Sequence, residues 1–107
     1  MNRRRYVPDR GDIVWLQFTP QAGHRPALVL SPARYNRLSG LMLSCPMTSQ
    51  RKGYPFEGVV DGAPARPNVV LADQVKTLDW KARKAVKKGV VSSDVIAETL
   101  SKLQALL

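Results

Sequence analysis

The 107-residue chain has one cysteine, one histidine and eight carboxylates, and each scarcity removes a class of chemistry. The lone Cys45 cannot form a disulfide within the chain, and with His24 as the single histidine it falls short of a structural zinc site. Asp9, Asp12, Glu57, Asp61, Asp73, Asp79, Asp94 and Glu98 are scattered without a ligand-pair spacing, so neither a metal nor any other cofactor is expected. Cys45 sits inside an apolar run, where a thiol behaves as a small hydrophobe rather than a nucleophile. No apolar stretch approaches the ~20 residues of a membrane span. The opening "MNRRRYVPDRGD" has no apolar block behind its basic residues, because Asp9, Arg10 and Asp12 interrupt it. A soluble protein of a reducing cytoplasm, with no membrane partner, is the expectation.

Seventeen Lys and Arg give a formal net charge of +9, which marks a polyanionic or acidic partner, with nucleic acid favoured. The 44% hydrophobic content suits a folded chain, and the length suits one domain over residues 1–107.

"IVWLQF" (13–18) follows the turn signal "DRGD" and reads as a strand of β-branched and aromatic residues; "ALVLS" (27–31) reads as a second, more buried one. Thr19 to Arg25, with Pro20 and Gly23, is expected to be the loop between them. Pro32 ends the second strand, and "ARYNRLSG" reads as a short helical turn closed by Gly40. A third strand is expected over 41–49, a polar connection over "QRKGYPFEG", a short strand in "EGVVD" and a Pro-rich turn in "GAPARPN". "VVLADQVKTL" reads as continuously strand-like, and the basic "KARKAVKKG" precedes a short extended "VV".

From Ser92 the period changes. Ile96, Leu100, Leu103 and Leu107, flanked by Val95 and Leu106, place an apolar stripe on a helix that Ser92 can cap, with Asp94 in its first turn. Five or more short strands followed by one amphipathic helix predict a mainly β (α+β) domain: a small, partly open antiparallel barrel with short helices and a C-terminal helix packed on it.

Without metal or thiol chemistry, what remains is Arg, Lys, His, Thr and Ser at strand ends. In RNA cleavage by internal attack the substrate's 2′-hydroxyl is the nucleophile, so the protein need only move protons and stabilise charge on the phosphorus oxygens. A guanidinium suits the second task, because its fixed fork matches a phosphate and stays charged. Arg25, at the mouth of "ALVLS", is the candidate; a solvated surface charge is the plain alternative.

"RYVPDRGDIVWLQF", "QAGHRPALVLSP", "YN", "PMTSQRKGYPFE" and "LADQVKTLDWKARKAVKKG", in this order and spacing, resemble the MazF/PemK type of toxin, the endoribonuclease half of a bacterial type II toxin–antitoxin pair. The resemblance runs from about Arg5 to the final helix. It implies an SH3-like barrel and metal-independent, sequence-specific cleavage of single-stranded RNA, leaving a 2′,3′-cyclic phosphate and a 5′-hydroxyl. Arg25 of "GHRP" and Thr48 of "TS" are the catalytic residues it implies. His24, Ser49, Gln50, Arg51, Lys52, Gln74 and Lys76 are the implied RNA-binding set, with Tyr54 and Phe56 as stacking candidates. A homodimer is implied, as is an acidic, MazE-like antitoxin with a disordered tail. The loop before "QAGHRP" is about five residues shorter than in many relatives, and nothing in Thr19 to Gly23 replaces the acid sometimes found there. Two other readings stay open: a CcdB-like gyrase poison, for which "LQALL" offers only aliphatic residues, and an SH3-like RNA-binding module that cleaves nothing.

Overall fold

The computed structural model describes residues 6–18, 23–60 and 68–107. Seven antiparallel strands form β1 (Asp12–Gln17), β2 (His24–Val29), β3 (Leu41–Thr48), β4 (Glu57–Val59), β5 (Val69–Leu71), β6 (Lys76–Asp79) and β7 (Val86–Val90). Helix α1 (Ala33–Ser39) lies between β2 and β3, and α2 (Ser93–Gln104) ends the chain. The order is β4-β5-β3-β2-β1-β7, with β6 also on β3, so the sheet curls into a barrel that does not close.

β3 is the corner. Its first half, Leu41 to Ser44, pairs with β6, and its end, Met47 and Thr48, pairs with β5 on the same edge. The chain steps between these partners through a 3-10 turn, Ala72–Gln74, which interrupts the run expected to be one strand. A single straight strand cannot serve both halves of a twisting β3, and the turn takes up the change of direction.

Alternation along the strands builds a core on each face of the sheet. Val14, Leu16, Ala27, Val29, Met42 and Trp80 pack on one side, and Ile13, Leu28, Cys45, Met47, Val60 and Val70 on the other. Helix α2 covers the second side with Val95, Ile96 and Leu103. Ser92 caps it as expected, its hydroxyl accepting from the Val95 N–H at 3.4 Å. The buried stripe, however, is rotated: Thr99 is buried, whereas Leu100 and Leu106 are exposed and Leu107 is 94% exposed. Thr99 tolerates burial because its hydroxyl donates to the Val95 carbonyl at 2.8 Å and so needs no partner beyond the helix.

Two strands extend beyond their apolar residues. β2 begins at His24, because Gln17 and Leu16 of β1 pair with His24 and Arg25 and the ladder is indifferent to side-chain charge. β7 takes in Lys87 and Lys88, which the sequence placed before the strand. As an edge strand on β1 it has one free side, where lysines stay hydrated and discourage further pairing. Helix α1 closes at Gly40, whose φ of 75° lets its N–H reach the Asn36 carbonyl. The expected Pro-rich turn, apart from Asn68, and the shortened loop, apart from Gly23, lie outside the described residues. Among the described residues no helix is long and apolar enough to cross a membrane.

Candidate active site

Prolines determine where the seam between β2 and β3 opens. The ladder runs Val29↔Ser44, Leu28↔Cys45, Ala27↔Pro46 and then stops. Pro46 has no N–H to continue it, and neither has Pro26. Carried two residues further, the same register sets Arg25 opposite Thr48 and His24 opposite Ser49. Arg25 shares a face with Ala27, and Thr48 with Pro46, so both side chains leave the sheet on the same side at the point where the strands part.

The gap is a cavity of about 340 Å³ lined by His24, Arg25, Pro26, Pro46, Met47, Thr48, Leu71 and Gln74. Arg25 is exposed and forms no salt bridge among the described residues, so its guanidinium is available to an incoming anion. The Thr48 oxygen accepts the Gln50 N–H at 3.1 Å, which fixes the turn and leaves the hydroxyl proton able to donate to a ligand. Gln74 is delivered by the 3-10 turn between β5 and β6, so the break in that strand is what brings its amide to the cavity.

An adjoining cleft of about 190 Å³ continues from Thr48 and Gln74 to Gln50, Lys52, Tyr54, Glu57 and Asp73. On the other flank Arg25 and Gln74 share a cavity of about 360 Å³ with Lys76, Phe18 and Leu78. Seven of the nine residues singled out from the sequence thus meet in three connected hollows. Ser49 and Arg51 do not line them and stand exposed on the same connection. Tyr54 is 62% exposed along the cleft, whereas Phe56 is partly buried and its carbonyl accepts the Ala72 N–H.

Glu57 was missed by sequence reasoning. Its carboxylate accepts the backbone N–H groups of Lys52, at 3.1 Å to each oxygen, and Gly53, at 2.9 Å. It thereby folds the connection that presents Gln50, Arg51 and Lys52. The signal was an acid shortly after a glycine turn in a chain with few acids, which carried no information until the loop's path was known. Cys45 is fully buried and its thiol is pushed up to about 12 by burial and then by the charge of Asp73, so it stays protonated. Among the described residues no three His, Cys, Asp or Glu come together as a metal site.

Fold and site define a small open antiparallel barrel that gathers cationic, hydroxyl and amide groups where two proline-bearing strands part. Residues 9–107 match the family described as PemK-like, MazF-like toxin of type II toxin-antitoxin system, and the chain belongs to that family. It is 50% identical over 108 residues to the endoribonuclease toxin MazF of Escherichia coli strain K12, covering 96% of each chain. To the endoribonuclease toxin ChpB of the same strain it is 37% identical over 115 residues, covering 92% of this chain and 93% of that one. A crystal structure of MazE-MazF from Deinococcus radiodurans superposes with a TM-score of 0.89 at 51% identity, covering 95% of this chain and 96% of its counterpart.

Proposed function

We propose that residues 1–107 act as one toxin domain, an endoribonuclease that cuts single-stranded RNA without a metal ion. The observation that carries this reading is the convergence of Arg25, Thr48 and Gln74 on one cavity at the open end of the β2–β3 seam. In the reaction the substrate's 2′-oxygen forms a bond to phosphorus as its proton is removed. The bond to the 5′-oxygen breaks and that oxygen takes up a proton, leaving a 2′,3′-cyclic phosphate and a 5′-hydroxyl. Arg25 stabilises the charge that accumulates on the non-bridging oxygens, and the Thr48 hydroxyl donates to the same group. Gln74, His24, Gln50, Lys52 and Lys76 hold the strand through the three hollows, and Ser49 and Arg51 meet it outside them.

The partners follow from charge and kinship. The crystallised relative pairs MazF with MazE, and a +9 chain suits an acidic antitoxin tail competing with RNA for one surface. The toxin works as a homodimer in the cytoplasm, where both RNA and antitoxin are found.

Incubating the purified protein with a long single-stranded RNA in EDTA and mapping the new 5′ ends tests the reading. Discrete cuts with 5′-hydroxyl ends are expected, and Arg25→Ala lowers the rate by roughly a hundredfold or more, the scale of losing one charge-stabilising group. RNA that is retarded but intact identifies a binding module, and full activity in Arg25→Ala overturns the assignment of Arg25.

A further inference from the structure

His24 lines two cavities. One is the site above; the other, of about 470 Å³, lies on the opposite face of the sheet and is lined by Trp15, His24, Val86 and Lys88. Its floor is the cross-strand pair of Trp15 on β1 and Val86 on β7, in a row that Pro26 of β2 continues on the other side of Trp15. His24, opposite Gln17, begins the next row. With strands ~4.8 Å apart, the row spans about 10 Å from β2 to β7, wide enough to carry one flat ring system. Helix α2 leaves this end open, since Val95, Ile96 and Leu103 pack on the cluster around Ile13 and Leu28, further along the strands. Val86 is consequently 50% exposed.

We propose that this row is a stacking platform for one nucleobase of the RNA strand, flanking the phosphate held at Arg25. The proposal rests on the nuclease reading and adds a subsite to it. Three observations favour RNA as the occupant. The platform joins the candidate active site through a shared side chain, so a strand passing over the end of β2 at His24 reaches Trp15 directly. Its largest ring is an indole, which stacks on any base, and its charged member, Lys88, is a cation placed for backbone phosphate. Among the described residues its lining has no carboxylate to repel the strand. Trp15 is the stacking surface, His24 the link between subsites, and Lys88 the anchor.

The two tryptophans make this directly measurable. Trp80 is 5% exposed and donates its indole N–H to the Asn36 carbonyl at 2.9 Å, so it is sealed from RNA. Titrating the full chain with 2′-O-methyl single-stranded RNA, which cannot undergo internal attack, is expected to quench tryptophan emission in step with binding followed by anisotropy of a labelled strand. Trp15→Phe is expected to abolish the quench with little loss of affinity, and Trp15→Ala to weaken binding roughly five- to hundredfold, the range for removing one stacked base. RNA that binds by anisotropy without quenching Trp15 overturns the platform while leaving the nuclease reading intact. RNA that does not bind at all overturns both. Emission from Trp15 that shifts on dilution of the free protein assigns the groove to a second copy of the chain and overturns the proposal.

Discussion

Asn36 offers the sharpest separation of stability from activity. Fully buried on α1, it donates from Nδ2 to the Pro8 carbonyl at 2.7 Å and to the Ser31 carbonyl at 3.0 Å, and accepts from the Ser31 hydroxyl at 2.6 Å. Ser31 in turn accepts the Leu43 N–H at 2.8 Å, so one amide joins the chain before β1, the end of β2, α1 and β3. Asn36→Ala leaves two carbonyls and a hydroxyl short of partners, each costing about 1–3 kcal/mol when buried. The Trp80 bond survives, because it uses the Asn36 main chain. Since Ser31 can rotate to another partner, the two carbonyls dominate at about 2 kcal/mol each, and about 4 kcal/mol is expected out of a total of about 5–15 kcal/mol. With a urea slope of about 2 kcal/mol per molar, the midpoint falls by about 2 M. Asn36→Asp does no better, because a carboxylate cannot donate to either carbonyl. Ser31 lies six residues along the chain from Arg25, a strand path of about 20 Å, so RNA cleavage per folded molecule at low temperature is expected to match the parent. A loss of stability below about 1 kcal/mol, or a folded variant that has lost cleavage, refutes the reasoning.

Other outcomes follow from single contacts. Glu57→Ala frees the Lys52 and Gly53 amides and is expected to weaken RNA binding about fivefold while changing stability by less than about 1 kcal/mol; Glu57→Gln, which still accepts, restores most of the affinity. Cys45 in the native chain is expected to resist iodoacetamide at pH 8 and to react once urea unfolds it, with cleavage retained in Cys45→Ala. At alkaline pH the folded chain holds the Cys45 proton to about 12 while the unfolded chain releases it near its ordinary 9.0. Unfolding therefore releases a proton, and stability falls as pH rises from 9 to 12, by up to about 1.4 kcal/mol per pH unit. Tyr6 adds to the same trend, its hydroxyl raised first by burial and then by its 2.6 Å bond to Asp12. A denaturation series showing a flat profile over that window speaks against both. RNA affinity is expected to fall steeply between 50 and 200 mM salt as the cations around the site release counterions from several phosphates.

Local chemistry made much of this molecule readable from its residues. β-Branched runs announced β1, the apolar part of β2, and β3, Gly40 closed α1 and Ser92 opened α2, because each signal acts within a few residues. The scarcity of cysteine, histidine and acids narrowed the chemistry, and the resemblance of "GHRP" and "TS" to the motifs of the MazF/PemK family singled out Arg25 and Thr48. What the sequence could not supply was non-local. Only the β2–β3 register sets Arg25 opposite Thr48, and only the prolines on neighbouring strands open the seam between them. The break at Ala72–Gln74 is invisible in a run of apolar residues, since it answers to β3 changing partners. The lysines of β7 join a strand because β1 offers a ladder, and Thr99 replaces Leu100 in the buried stripe because the sheet decides which side of α2 it meets. Residue types determined which groups are available, and pairing between distant strands decided which of them meet, because register is a property of two segments and neither carries it alone.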